Sequence, residues 1–236
     1  MSPVDYRNQE LTAGTKRNNS DISPFDDLAS EYDAWFDTEG RLIFLIEARA
    51  FRDLLPSLPK PRLEIGIGSG RFAVALGIET GIDPSFKLLQ IAKQRGINAF
   101  LGRGEHHIFK EESFGTVFLI VTLCFLDSPL DVLKEANRIL MPSGKLILGL
   151  VLKESPWGQL YQQKKEEGHR FYRYATFYSY DDVVRLLVNA GFMTEKIVST
   201  LFQRPEETNH MEEPKEGYSP DAGFTIIVGA KRGSEI

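Results

Sequence analysis

The chemistry-bearing residues of this chain cluster at Leu63-Glu64-Ile65-Gly66-Ile67-Gly68-Ser69-Gly70 and, a short distance on, at Gly81-Ile82-Asp83-Pro84. Arg62 to Ile65 reads as a short buried strand, and Arg71 to Leu76 as the start of a helix. Gly66, Gly68 and Gly70 between them permit a tight turn and a close backbone approach. A strand–turn–helix of this kind is expected to leave backbone N–H groups beside a ligand. The next strand, roughly Ile78 to Ile82, runs into the carboxylate of Asp83. An acid at that point of an α/β nucleotide site accepts hydrogen bonds from ribose hydroxyls. Nucleoside binding is therefore the first reading.

The glycine spacing narrows the nucleoside. A dinucleotide fingerprint is G-x-G-x-x-G, whereas the run here is Gly66-x-Gly68-x-Gly70, and no Gly-Lys-Ser/Thr follows to make a P-loop. With Glu64 ahead of the glycines and Asp83 ending the next strand, the chain resembles the class I S-adenosylmethionine-dependent methyltransferases. The block Arg138-Ile139-Leu140-Met141-Pro142-Ser143-Gly144 resembles that family's Arg-Val-Leu-Lys-Pro-Gly-Gly element. Phe114-Gly115-Thr116-Val117-Phe118 stands where the family has Phe-Asp-Leu-Val-Val. The likeness is motif-level from Leu63 to Leu148 and extends in layout from Ser23 to Lys231. It is nearest to the small-molecule enzymes typified by ubiquinone and menaquinone biosynthesis.

The resemblance implies a doubly wound, mostly parallel, seven-stranded Rossmann-like α/β sheet with an antiparallel last strand and N-terminal lid helices. It implies S-adenosylmethionine as cofactor and S-adenosylhomocysteine as product. On matched positions, Gly66, Gly68 and Gly70 pass along the donor and Glu64 lies near its amino-acid end. Asp83 binds the ribose, with Pro84 beside it; Glu105 is on the adenine side, and Thr122 and Leu123 line the cleft.

One loop departs from the pattern. Where the family commonly reads Gly-Asp-Ala-Glu-x-Leu-Pro-Phe, this chain has Gly102-Arg103-Gly104-Glu105-His106-His107-Ile108-Phe109. Arg103 stands where an Asp usually meets the adenine amino group, and guanidinium is donor-only. Either Glu105 or a backbone group takes over adenine recognition, or the adenine pocket differs. His106 and His107 make a poor chelate, because no further His, Asp or Glu follows at ligand spacing; no metal is expected. No general base is identifiable, and the candidates are Tyr32, His106, His107, His169 and Tyr172. Cys124 reads as a small packing residue, since nothing nearby in sequence would lower its pKa.

Elements must position these groups. Ser23-Pro24 is a good helix start, and Phe25, Leu28, Ala29, Tyr32, Trp35 and Phe36 form one aromatic stripe at helical spacing. That helix either packs on the core or folds over the cofactor as a lid, where an aromatic ring would meet the sulfonium. Arg41 to Leu55 reads as a second helix with Arg or Glu opposite its apolar face, and Phe86 to Arg95 as another, closed by Gly96. Ile97 to Leu101 and Val117 to Val121 read as strands, and Asp127-Ser128-Pro129 caps the helix after them. Ser155 to Tyr178 turns polar and aromatic, as a substrate-covering insertion would. Ser179-Tyr180-Asp181-Asp182 starts a helix that Gly191 stops. Phe192 to Leu201 and Gly223 to Lys231 read as strands. The acidic connection Arg204 to Asp221 between them is expected to be mobile and to border the acceptor site.

A chain of 236 residues with a net charge of −5 is long enough for one sizeable core and is poorly suited to broad nucleic-acid binding. Residues 1–22 read as a flexible tail and 23–236 as one domain. Within it, 23–60 supply the N-terminal helices, 61–152 the cofactor-binding half and 153–236 the substrate side. Cys124 is the only cysteine, no apolar run reaches membrane-span length, and the first residues lack a secretory core, so the expected setting is cytoplasmic. The expected reaction is methyl transfer to an N, O or C nucleophile of a small molecule. The alternatives are a non-catalytic donor-binding module or subunit, and an RNA methyltransferase. Acceptor identity and oligomeric state are not written in the sequence.

Overall fold

A computed structural model describes residues 23, 25–106 and 108–232. The expected tail at 1–22, Pro24 and His107 lie outside them. Eight strands form one mixed sheet in the order β3-β2-β1-β4-β5-β8-β6-β7. They are β1 Arg62–Ile65, β2 Thr80–Asp83, β3 Asn98–Leu101, β4 Phe114–Ile120, β5 Leu140–Leu150, β6 Phe192–Thr200, β7 Lys215–Glu216 and β8 Phe224–Lys231. The first five pair in parallel, while β8 inserts antiparallel between β5 and β6.

Burial explains why β1 and β4 read as continuous apolar runs. Every residue of both strands is buried, as expected of central parallel strands covered on both faces. Seven helices supply that cover: α1 Ala29–Trp35, α2 Arg41–Ala50, α3 Arg71–Leu76, α4 Phe86–Gln94, α5 Pro129–Ile139, α6 Pro156–Glu166 and α7 Tyr180–Asn189. One face of the sheet buries Phe51, Phe72, Phe118 and Phe224 beneath the N-terminal helices, α3 and α4. The other buries Leu63, Val117, Leu133, Leu187 and Phe192 beneath α5 and α7. Each fully buried side chain of this size is worth about 1.5–3 kcal/mol, so the two layers carry most of the favourable term.

The sheet winds outward in both directions from the β1–β4 pair, because β1 contacts β2 on one side and β4 on the other. That reversal is the topological switch point at which open α/β sheets bind ligands, beyond the strands' C-terminal ends. The glycine turn follows β1 there, and Asp83 closes β2.

Local chemistry sets the boundaries, with some differences from expectation. Ser179 and Asp182 form a complete capping box at the start of α7. Ser128 precedes Pro129 at the start of α5 but makes no side-chain cap bond. The first helix begins at Ala29 rather than Ser23, after turns over residues 25–28. The second ends at Ala50, ahead of the Pro56 that would have blocked it. The sheet has eight strands rather than seven, because the 204–221 connection contributes β7, paired with β6 at the sheet edge. That connection ties to α2 through an Arg49–Glu213 ion pair. None of its residues borders the cavity described below.

Candidate active site

Three groups meet at the switch point. The glycine turn comes first. Gly66 and Gly68 have φ of +75° and +52°, the left-handed region that favours glycine. A Cβ on Gly66 would lie 2.3 Å from the Thr122 methyl carbon, so the turn also needs the missing side chain for packing. Four of its N–H groups are taken within the protein. Gly66 and Ile67 N–H donate to the Ile82 carbonyl at 2.8 and 3.2 Å, and Gly70 N–H to the Ile67 carbonyl at 2.9 Å. Gly68 N–H donates to Asp83 Oδ2 at 2.9 Å. The turn thus permits close backbone approach beside a buried carboxylate.

Asp83 is the second group. Its other oxygen accepts from Ser85 N–H at 2.7 Å, so the acid locks the turn after β1 to the turn after β2. Burial pushes its carboxyl up to about 6, against the pull of the Ser85 and Gly68 donors. Pro84 is exposed beside it. Asp26, from the segment ahead of α1, joins the same knot by accepting from Ser85 Oγ at 2.7 Å and Lys87 N–H at 3.1 Å.

Glu64 is the third. It is buried within β1, and its Oε2 has no hydrogen-bond partner. Burial, and then the charge of Asp83, push its carboxyl well above the ordinary range. A buried, unpartnered carboxyl is costly unless a donor or cation meets it. The ammonium of an amino-acid moiety is such a cation. A glycine turn between two buried acids, one of them unpartnered, is a donor set that fits S-adenosylmethionine.

The remaining predicted residues fall unevenly. Thr122 stands against Gly66, its Oγ1 donating to the Ile120 carbonyl at 3.0 Å, or to Gly66's at 3.3 Å. Leu123 is fully buried in the α5-side core rather than facing the cleft. Glu105 is half-buried and pairs with Arg103 at 3.6 Å, and Arg103 also pairs with Asp127 across the strand ends. The guanidinium at the unusual position is therefore paired with carboxylates from its own loop and from the segment ahead of α5. His106 is exposed and bridges back to Arg103.

Over this site lies α1. Asp33 accepts from Arg71 Nε at 2.9 Å and from Arg95 Nη1 at 2.8 Å, and Arg95 Nη1 also donates to the Ser69 carbonyl at 2.7 Å. Burial works against the Asp33 carboxylate, but the Arg95 and Arg71 hydrogen bonds outweigh it and hold its pKa well below the usual range. Tyr32 of α1 leans over the turn, its ring carbon 3.5 Å from where a Gly68 Cβ would sit.

On its far side Tyr32 lines an aromatic cavity, together with Phe36, Glu47, Cys124, Tyr161 and Tyr172. The roof comes from the 155–178 segment: Tyr161 stacks on Tyr172 at 4.3 Å, and His169 lies 4.8 Å from Tyr172. At the floor, Val121 has φ +50°, a strained conformation for a β-branched residue of the kind found at working sites. Burial raises the Tyr32 and Tyr172 phenols well above their ordinary value, so both are hydrogen-bond donors rather than resting bases. Burial, Lys164 and Arg170 lower the His169 pKa. Burial pushes the Cys124 thiol up to about 12, in keeping with a packing role. Sequence reasoning missed Asp26, Asp33, Arg71, Arg95 and Glu47. Only Glu47 left a local sign, a carboxylate four residues from both Ile43 and Phe51 on an apolar stripe.

Comparison with known proteins agrees with this geometry. Residues 63–148 match the family model of a methyltransferase domain. A SAM-dependent methyltransferase of Thermotoga maritima, described as a possible histamine N-methyltransferase, superposes with a TM-score of 0.82 at 40% identity, covering 89% of this chain and 99% of its own. An uncharacterised protein of Methanocaldococcus jannaschii is 37% identical over 89% of this chain and 100% of its own length. The methyltransferase in the Haloferax volcanii complex with the Trm112 activator has a TM-score of 0.64 at 17% identity, covering 90% of this chain and 98% of its own, a likeness of fold alone. With the glycine turn, the two buried acids and the sheet order in place, this chain belongs to the class I S-adenosylmethionine-dependent methyltransferases.

Proposed function

We propose that this protein is an active cytoplasmic enzyme that transfers a methyl group from S-adenosylmethionine to an N, O or C nucleophile of a small molecule. It works as one domain, residues 61–152 holding the donor and 153–236 shaping the acceptor side. The observation that carries the reading is the aromatic cavity lined by Tyr32, the side chain that also stands against Gly68 of the turn. When bound, the cofactor supplies an electrophilic methyl on a sulfonium; the chain's residues bind, orient and exclude water. Glu64 and Asp83 fix the two ends of the donor, Tyr32 and Phe36 wall the transfer point, and α6 with its following loop covers the acceptor. A mainly apolar cavity and a net charge of −5 favour a small acceptor over RNA. The Thermotoga maritima relative makes histamine a reasonable first acceptor to assay.

Calorimetry tests the reading. S-adenosylhomocysteine should bind the wild type, and Asp83→Ala should weaken it by roughly 10- to 100-fold, the range of a lost charge-assisted hydrogen bond. Absence of binding by both donor and product defeats it, and donor binding without turnover on a broad acceptor panel favours a non-catalytic module.

A further inference from the structure

A carboxylic acid stands on the cavity wall with nothing to pair with. Glu47, from the middle of α2, is 5% exposed and faces the aromatic cavity. Among the described residues it has neither a hydrogen-bond nor an ion-pair partner. The basic side chains bordering the same space are otherwise disposed. Lys164 lies over the Tyr161 ring at 5.9 Å, and His169 Nδ1 accepts from Phe171 N–H at 3.4 Å. An unpartnered buried carboxyl is expensive to keep, and a core Gln or Leu at this position of α2 would pack as well. Around it Tyr32, Phe36, Tyr161 and Tyr172 present rings that attract cations.

We propose that the acceptor enters this cavity as a cationic amine, its nitrogen against the Glu47 carboxylate and its apolar remainder among the aromatic rings. The proposal rests on the methyltransferase reading and names the acceptor class for that site. The cavity, about 230 Å³, has room for one ring on a short chain. Burial alone pushes the Glu47 carboxyl up to about 8. Tyr32, Cys124, Tyr161 and Tyr172 around it are raised by burial too and stay uncharged at neutral pH, while His169 is lowered. Glu39 and Lys164 complete the charged groups that border the cavity. Glu47 therefore rests protonated at pH 7, and an arriving ammonium displaces its proton to solvent. The carboxylate so formed can then accept the proton that the nitrogen must lose before its lone pair is free to react.

The test is calorimetry on S-adenosylhomocysteine-loaded protein at pH 7, in two buffers of different ionisation heat. The probes are 2-phenylethylamine with 2-phenylethanol, tryptamine with tryptophol, and hexylamine with hexanol. At least one amine should bind about tenfold or more tighter than its alcohol, with release of close to one proton. Glu47→Gln should abolish the preference and the proton release while leaving S-adenosylhomocysteine affinity unchanged, which also certifies its fold. Glu47→Asp should keep the preference at reduced affinity. No amine preference in any pair, or a preference intact in Glu47→Gln, overturns the proposal. So does a Glu47→Gln protein that loses S-adenosylmethionine but not S-adenosylhomocysteine, since Glu47 would then face the sulfonium. Failure of the wild type to bind S-adenosylhomocysteine is a separate result, and it defeats the methyltransferase reading itself.

Discussion

Glu47 has a consequence for stability as well as for ligands. Its carboxyl is raised in the folded state from an ordinary 4.5 to about 8, so the folded protein binds the proton more tightly than the unfolded chain does. The stability this supplies is complete below the ordinary carboxylate value and is lost as pH rises through about 8. Glutamine cannot ionise. The advantage of Glu47→Gln over the wild type in urea unfolding should therefore grow between pH 5 and pH 9, by on the order of a few kcal/mol. A difference that stays flat with pH would mean that Glu47 ionises freely where it stands. Asp83 and Glu64 are raised in the same direction and are common to both proteins, so the comparison isolates one residue. The sequence placed Glu64 and Asp83 readily because each stands at the end of a recognisable pattern. Glu47 escaped because a period count assigns polar residues outward by default, and only its neighbours Ile43 and Phe51 mark it as facing in.

Among the elements, α1 is the piece whose role turns on distant charges. Both oxygens of Asp33 are held, with Arg71 Nη2 at 3.0 Å and Arg95 Nη2 at 2.9 Å on the second one. Asp33→Ala should speed S-adenosylhomocysteine release by roughly tenfold, the scale of a lost charge-assisted pair, as read by stopped-flow displacement. A wild-type release rate would leave α1 as packing alone. The aromatic stripe of this helix was legible in the sequence, since it is local. Its latch was not, because Asp33 lies 38 residues from Arg71 and 62 from Arg95, and no local period connects them. The same limit hid β7, whose two exposed residues carry no alternation and exist as a strand only through pairing with β6. The capping box of α7 and the buried run of β4 were legible for the opposite reason: each is written in adjacent residues.

For the whole molecule, the sheet face beneath α2 works as one aromatic layer. Phe51 is fully buried, with ring centroids 6.3 Å from Phe72, 6.5 Å from Phe118 and 6.1 Å from Phe224. Those partners come from α3, β4 and β8, so one ring joins elements far apart in the chain. Phe51→Ala should cost about 3–5 kcal/mol in denaturant unfolding, and a loss below about 1 kcal/mol would show that the layer relaxes around the gap. The placement of β8 also sets an order of events during synthesis. Domains build from the N-terminal side as the chain emerges, yet β5 and β6 have no direct pairing and are joined only through β8. Trp157 of α6 packs on Gly223, at the entry to that strand, and its indole N–H donates to the Gln203 carbonyl at 2.9 Å. The parallel half can therefore assemble while residues 223–231 are still unmade, whereas Trp157 gains its seat on Gly223 only when they arrive. A nascent chain would close its glycine turn on Asp83 first and finish the packing of α6 last.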